Sequence, residues 1–166
     1  MPTEVGEYLV GAYLKLVEHC DVVDYNVLEP GGGLRGLNEL DVVGFHFATS
    51  TVYLCEATTH VTGLLYQNNV ATIDRIKRKH QNQRTYAKRF LGQFKNKKYM
   101  FWSPKVPKGY LTEHLAQIKG LDLIINGEYK RRVYEMLELA KDATQDTGNQ
   151  VFRVFQILGA LEKLKD

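Results

Sequence analysis

Hydrophobic and polar positions alternate in two distinct periods along this chain. Leu9, Val10, Tyr13, Leu14 and Val17 recur at helical spacing and predict a first helix over about 4–19. Gly6 and Gly11 weaken it slightly. Residues 21–28, with Val22, Val23, Tyr25 and Val27, predict a strand. Pro30, Gly31, Gly32 and Gly33 then break the pattern, and Gly36 prolongs the glycine-rich segment. No Gly-Lys-Ser/Thr follows, so it is not a phosphate-binding P-loop. A second strand is expected from Glu39 to about Phe47 and a third from Thr51 to about Thr59. The connections are short, which favours an antiparallel meander. A long helix over about 69–92 carries the stripe Ile73, Ile76, His80, Gln83, Ala87, Phe90 and Phe94, at spacings of three and four. Tyr99–Trp102 reads as a short strand, 111–118 as a helix and 121–125 as another short strand. Strand, helix, strand in that order predicts a parallel pair. Two helices, about 128–142 and 151–165, close the chain.

Two irregularities stand out against this pattern. In a strand, residues two apart share a face. Asp41 therefore shares one with Val43 and Phe45, and Glu56 shares one with Val52, Leu54 and Thr58. A carboxylate among such neighbours is costly unless it is paired, hydrogen-bonded or bound to a cation. The second irregularity is the pair His80 and Gln83, which interrupts the apolar seam of the long helix. Hard cations such as Mg²⁺ are held by one or two carboxylates, with water and substrate phosphate completing the shell. Asp41 and Glu56 on neighbouring strands supply that minimum, and Glu7 on the first helix is placed to reach the same sheet end. Three acids also have an ordinary reading: Asp41 as a paired acid near a strand end, Glu39 as a solvated strand start (or a further ligand), and Glu7 as a helix N-terminal acid favoured by the macrodipole; Glu56, mid-strand in an apolar run, is harder to dismiss. His80 is more often a satisfied interior histidine than a catalytic one, and Gln83 could be a cap on a sheet-edge carbonyl.

Composition narrows the classes. The 166 residues, 44% hydrophobic and 25% charged, fit one domain, with a core at 4–125 and C-terminal helices at 127–165. No apolar run is long enough to cross a membrane. The first eight residues lack the basic start of a signal peptide, so a cytoplasmic protein is expected. Cys20 and Cys55 have no metal-type spacing. Net charge is only +3, but its distribution is uneven. Arg75, Lys77, Arg78, Lys79, Arg84, Lys88, Arg89, Lys95, Lys97 and Lys98 follow one another with no acidic residue between. Such a block suits a polyanion, or is simply a solvated helix face. Tyr86, Tyr99 and Tyr110 are candidates for base stacking.

Glu7 in an opening helix, Glu39-Leu40-Asp41-Val42-Val43 on one strand and Glu56-x-Thr58 on the next resemble the PD-(D/E)XK nuclease superfamily. The resemblance covers about 100 residues. It implies an α/β fold with a restriction-endonuclease-like core: a central mixed sheet, three antiparallel strands then two more, flanked by helices. It also implies Asp41 and Glu56 as ligands of Mg²⁺ or Mn²⁺, Glu7 as an auxiliary acid and Gln83 as a residue pointing into the site. The family's lysine, two residues after the second acid, is replaced here by Thr58, which offers no positive charge and no low-pKa base.

Three readings of that replacement follow. The basic role has moved, with His60 or His80 as candidates; the chain cleaves weakly with metal and Thr58 alone; or it is an inactive relative. The preferred expectation is a metal-dependent deoxyribonuclease, with Arg75, Lys77, Arg78, Lys79, Arg84 and Lys88 on the phosphate backbone. The alternatives are a non-catalytic nucleic-acid-binding protein of the same fold and a module whose basic helix docks an acidic protein. A homodimer is compatible with each.

Overall fold

The computed structural model describes residues 2–30 and 39–165. The glycine-rich segment from Gly31 to Gly36 lies outside the described residues. The elements run α1 (Val5–Leu16), β1 (Val22–Val27), β2 (Leu40–His46), β3 (Thr51–Ala57), α2 (Asn69–Phe90), β4 (Asn96–Ser103), α3 (Tyr110–Ala116), β5 (Asp122–Ile125), α4 (Asn126–Asp142) and α5 (Gln150–Glu162). Their order is the one the hydrophobic periods predict, with boundaries moved by a few residues. β4 is the largest change. It starts three residues before Tyr99, because Asn96, Lys97 and Lys98 pair with Thr51, Val52 and Tyr53. A backbone ladder recruits polar residues that a hydrophobic pattern ignores.

The sheet order is β1-β2-β3-β4-β5. β1 and β2 are antiparallel, as are β2 and β3. β4 runs parallel to β3, and β5 parallel to β4. The sheet is therefore mixed and flanked by helices. It does not divide cleanly into three antiparallel strands and then two, because β3 belongs to both halves.

Alternate residues of the central strands face opposite layers. Val42, Tyr53 and Cys55 pack with Val10, Tyr13 and Leu14 of α1 and with Met136 and Phe152 of α4 and α5. Val43, Val52 and Leu54 pack instead against Ala87 of α2 and the following Leu91 and Phe94. A third cluster joins Ile73 and Ile76 of α2 to Phe101, Leu111 and Leu115. Gly11 lets α1 lie tight on β1: a Cβ there would stand 1.9 Å from the Tyr25 hydroxyl. This is the packing reason for a residue that helix propensity disfavours.

α2 starts at an Asn68 cap, whose side chain accepts the Ala71 amide at 2.9 Å, a standard way to satisfy an orphan donor. Its buried stripe is Ile73, Ile76, His80, Gln83 and Ala87. Phe90 is only half-buried, and Phe94 lies beyond the helix end. No helix among the described residues is long and apolar enough to cross a membrane.

Candidate functional site

The β2–β3 register pairs Val42 with Cys55, so one step further it sets Asp41 beside Glu56. Both acids have the parity of Val43 and Leu54, and both face α2. Glu56 is only 2% exposed. Asp41 is tied down across the strands: its Oδ2 accepts the Ala57 amide at 2.8 Å.

The partner of these acids is Lys79. Its Nζ donates to Glu56 Oε2 and stands 3.6 Å from Asp41 Oδ2. The basic block was expected to face a polyanion as a whole. Lys79 departs from it, because it sits three residues after Ile76 and four before Gln83, on the edge of the buried stripe. Its aliphatic stem runs along apolar surface and carries the charge inward. The neighbouring Arg75, Lys77, Arg78, Arg84, Lys88 and Arg89 are exposed.

Burial raises the Glu56 carboxyl to about 8, and the Asp41 charge adds to that rise, while the Lys79 ammonium opposes it. For Lys79, burial works against the charge, but Glu56 and Asp41 outweigh it and lift its pKa above the ordinary lysine value. Lys79 is therefore a fixed positive charge at neutral pH and not a base.

Asp41 and Lys79 border a cavity of about 390 Å³, whose lining does not include Glu56. Glu7, Glu39, Asp41, Thr58, His60, Tyr66, Arg75 and Lys79 line it. Gly6 brings the first turn of α1 to this sheet end: a Cβ there would lie 2.7 Å from Thr59 Cγ2. Glu7 Oε2 accepts the Glu4 amide at 2.9 Å and the Asn26 Nδ2 at 3.4 Å. It is thus a helix-cap acceptor as well as part of the wall. Burial is the main cause of its raised pKa. Arg75 lies over the Tyr66 ring, 4.1 Å from its centroid, and His60 meets the same ring edge-on at 5.1 Å. Thr58 Oγ1 and His60 Nδ1 are buried without a hydrogen-bond partner among the described residues.

Gln83 is a correction. It does not line the cavity. Its Nε2 donates to the carbonyls of Leu54 at 3.0 Å and Met100 at 3.1 Å, and its Oε1 pairs with His80 Nδ1 at 3.2 Å. The other His80 nitrogen meets the Lys119 carbonyl at 3.2 Å. Both interruptions of the apolar seam are thus spent on sheet and loop carbonyls, and neither side chain is free for chemistry. Tyr86 and Tyr99 are half-buried on the α2 side of the sheet, away from this cavity. Tyr110 stacks on His114.

Asp41 and Glu56 are the two residues that could hold a divalent cation. Asp41 and Glu56 offer hard oxygen ligands, and the Lys79 ammonium already answers their negative charge where a metal would. Among the described residues no group of three or more His, Cys, Asp or Glu side chains gathers for a metal. Two carboxylates with water are nevertheless the usual protein share for Mg²⁺. Compared with known family models, curated proteins and solved structures, the chain matches none.

Proposed function

We propose that this chain is a metal-dependent endonuclease of restriction-endonuclease-like fold that hydrolyses DNA phosphodiester bonds. One observation carries the reading: Lys79 delivers an ammonium from α2 to the Asp41–Glu56 pair, where Thr58 leaves the expected strand lysine missing. The positive charge is supplied from a helix instead of from the strand. The element order from α1 to β4, with an acid on α1 and one on each of two adjacent strands, supports the same reading.

Asp41 and Glu56 would hold Mg²⁺ or Mn²⁺, which offsets phosphate charge and makes a bound water more acidic. Lys79, on the cavity wall, would contribute positive charge beside the phosphate position, stabilising negative charge that develops during attack. Arg75, braced on Tyr66, stands at the cavity wall to grip a neighbouring phosphate. Arg78, Arg84 and Lys88 extend that contact along α2 without reading sequence. Thr58 and His60 complete the cavity wall beside Asp41 and Lys79.

A second reading is favoured by the same ion pair. Lys79 satisfies both acids internally, as it would in an inactive nucleic-acid-binding protein of this fold. Nicking of supercoiled plasmid with Mg²⁺ or Mn²⁺ separates the two. The nuclease reading expects cleavage that falls about 100-fold or more in Asp41→Ala, Glu56→Ala and Lys79→Met. No nicking with either metal, alongside salt-sensitive DNA binding, would establish the binding protein instead.

A further inference from the structure

We propose that Lys79 and a divalent cation compete for one place between Asp41 and Glu56, so that metal enters only as the ammonium swings out into the cavity. The proposal rests on the metal-site reading above. It concerns a different property, the cost of loading the site.

The geometry makes the two cations exclusive. The Lys79 ammonium donates to Glu56 and lies 3.6 Å from Asp41. A divalent ion bound to the same two carboxylates would stand within a few ångströms of it, where like charges repel strongly in a poorly solvated site. Glu56, at 2% exposure, is not part of the cavity wall, whereas Lys79 is. Lys79 therefore reaches Glu56 from the cavity side.

The exit is equally visible. The Lys79 side chain is 27% exposed, has a flexible four-carbon stem and already borders the cavity. Glu7 and Glu39 stand on the same wall and offer carboxylates to the displaced ammonium. Only the side chain has to move, because α2 is held by Ile73, Ile76, Gln83 and Ala87 in the core. Thr58, 8% exposed with Oγ1 unpartnered, adds an oxygen directed at no protein group. In this scheme the resident ammonium keeps the acids compensated between turnovers and lowers metal affinity by the cost of displacing it.

The test uses the full chain without DNA. Mn²⁺ is titrated calorimetrically into wild type, Lys79→Met and Lys79→Arg. Lys79→Met keeps the apolar stem and removes the competitor, so its affinity for Mn²⁺ should rise about tenfold, the smaller end of the effect of one nearby unit charge. Lys79→Arg keeps a competing cation and should bind no tighter than wild type. The second readout needs no substitution. Acetylation of Lys79, followed by mass spectrometry, should increase severalfold at saturating Mn²⁺, while Lys77 and Lys88 stay unchanged. A folded Lys79→Met that binds Mn²⁺ no tighter than wild type overturns the proposal. So does Mn²⁺ binding by neither protein, or wild-type Lys79 labelling that metal leaves unchanged. Failure of plasmid nicking alone would remove the nuclease reading and leave the competition intact.

Discussion

Two ion-pair clusters built from similar groups lie in different parts of the molecule. At the sheet end, Glu56 and Asp41 share Lys79 in a buried setting. On α4, Glu128 meets Arg131 at 2.7 Å and Arg132 at 2.9 Å, near solvent. Their carboxyls move in opposite directions. Hydrogen bonds from Arg131 lead the causes that lower Glu128 to about 2; burial raises Glu56 to about 8 although a cation touches it. The α4 cluster joins residues three and four apart on one helix, where ordinary helical spacing makes the pairs. The sheet-end cluster joins three elements and places charge where desolvation works against it. A buried ion pair is weak evidence for stability.

The comparison breaks most sharply on removing one cation from each cluster. Lys79→Ala should destabilise the fold by about 3 kcal/mol in urea titrations, the lower end for a broken buried pair, because Asp41 and Glu56 lose the cation that compensates them. Arg131→Ala, which removes only a solvent-exposed cation, should leave the urea midpoint almost unchanged. Equal losses would mean that burial does not distinguish the two clusters.

The pH dependence comes next. A carboxyl raised in the folded state holds its proton longer than the unfolded chain does. The stability it lends is complete below the ordinary carboxylate range and is lost as pH rises through about 8. Wild type should thus lose on the order of 2 kcal/mol relative to Glu56→Gln between pH 5 and 8, read from denaturation midpoints at each pH. Parallel curves for the two proteins would remove the burial argument for Glu56.

Salt sharpens the contrast further. At 1 M salt the small difference between wild type and Arg131→Ala should vanish, whereas the Lys79→Ala difference should largely survive, since exposed pairs are screened far more than buried ones.

The smallest effect belongs to Glu128. Its carboxyl is depressed, so the stability it adds is present above the ordinary carboxylate range and lost as pH falls through about 2. Glu128 is 36% exposed, and solvent reduces its contribution to a few tenths of a kcal/mol. Glu128→Gln should therefore trail wild type slightly at pH 7 in thermal melts and match it by pH 2.

Much of this was legible in the residues themselves. The element order follows from hydrophobic period, a local property that needs no partner. The conflict at Asp41 and Glu56 was legible too, because strand parity fixes which neighbours a carboxylate must face. Gln83 and His80 were visible as polar breaks in a seam, but sequence could not say whether such a break serves a site or a carbonyl. That depends on which backbone groups the sheet leaves under α2, and here they are Leu54 and Met100. Lys79 was hidden in a run of like charges. Its signal was its spacing of three from Ile76 and four from Gln83, and the run of basic neighbours masked it.

The sequence by itself determined the α/β order and the presence of two strand acids needing compensation, since both arise from local periodicity and the cost of burying charge. Only the tertiary structure decided which cation meets them. A lysine on the rim of a helical stripe can point to solvent or inward, and that choice is made by how α2 is seated over β3 and β4, a long-range packing outcome that no local pattern encodes.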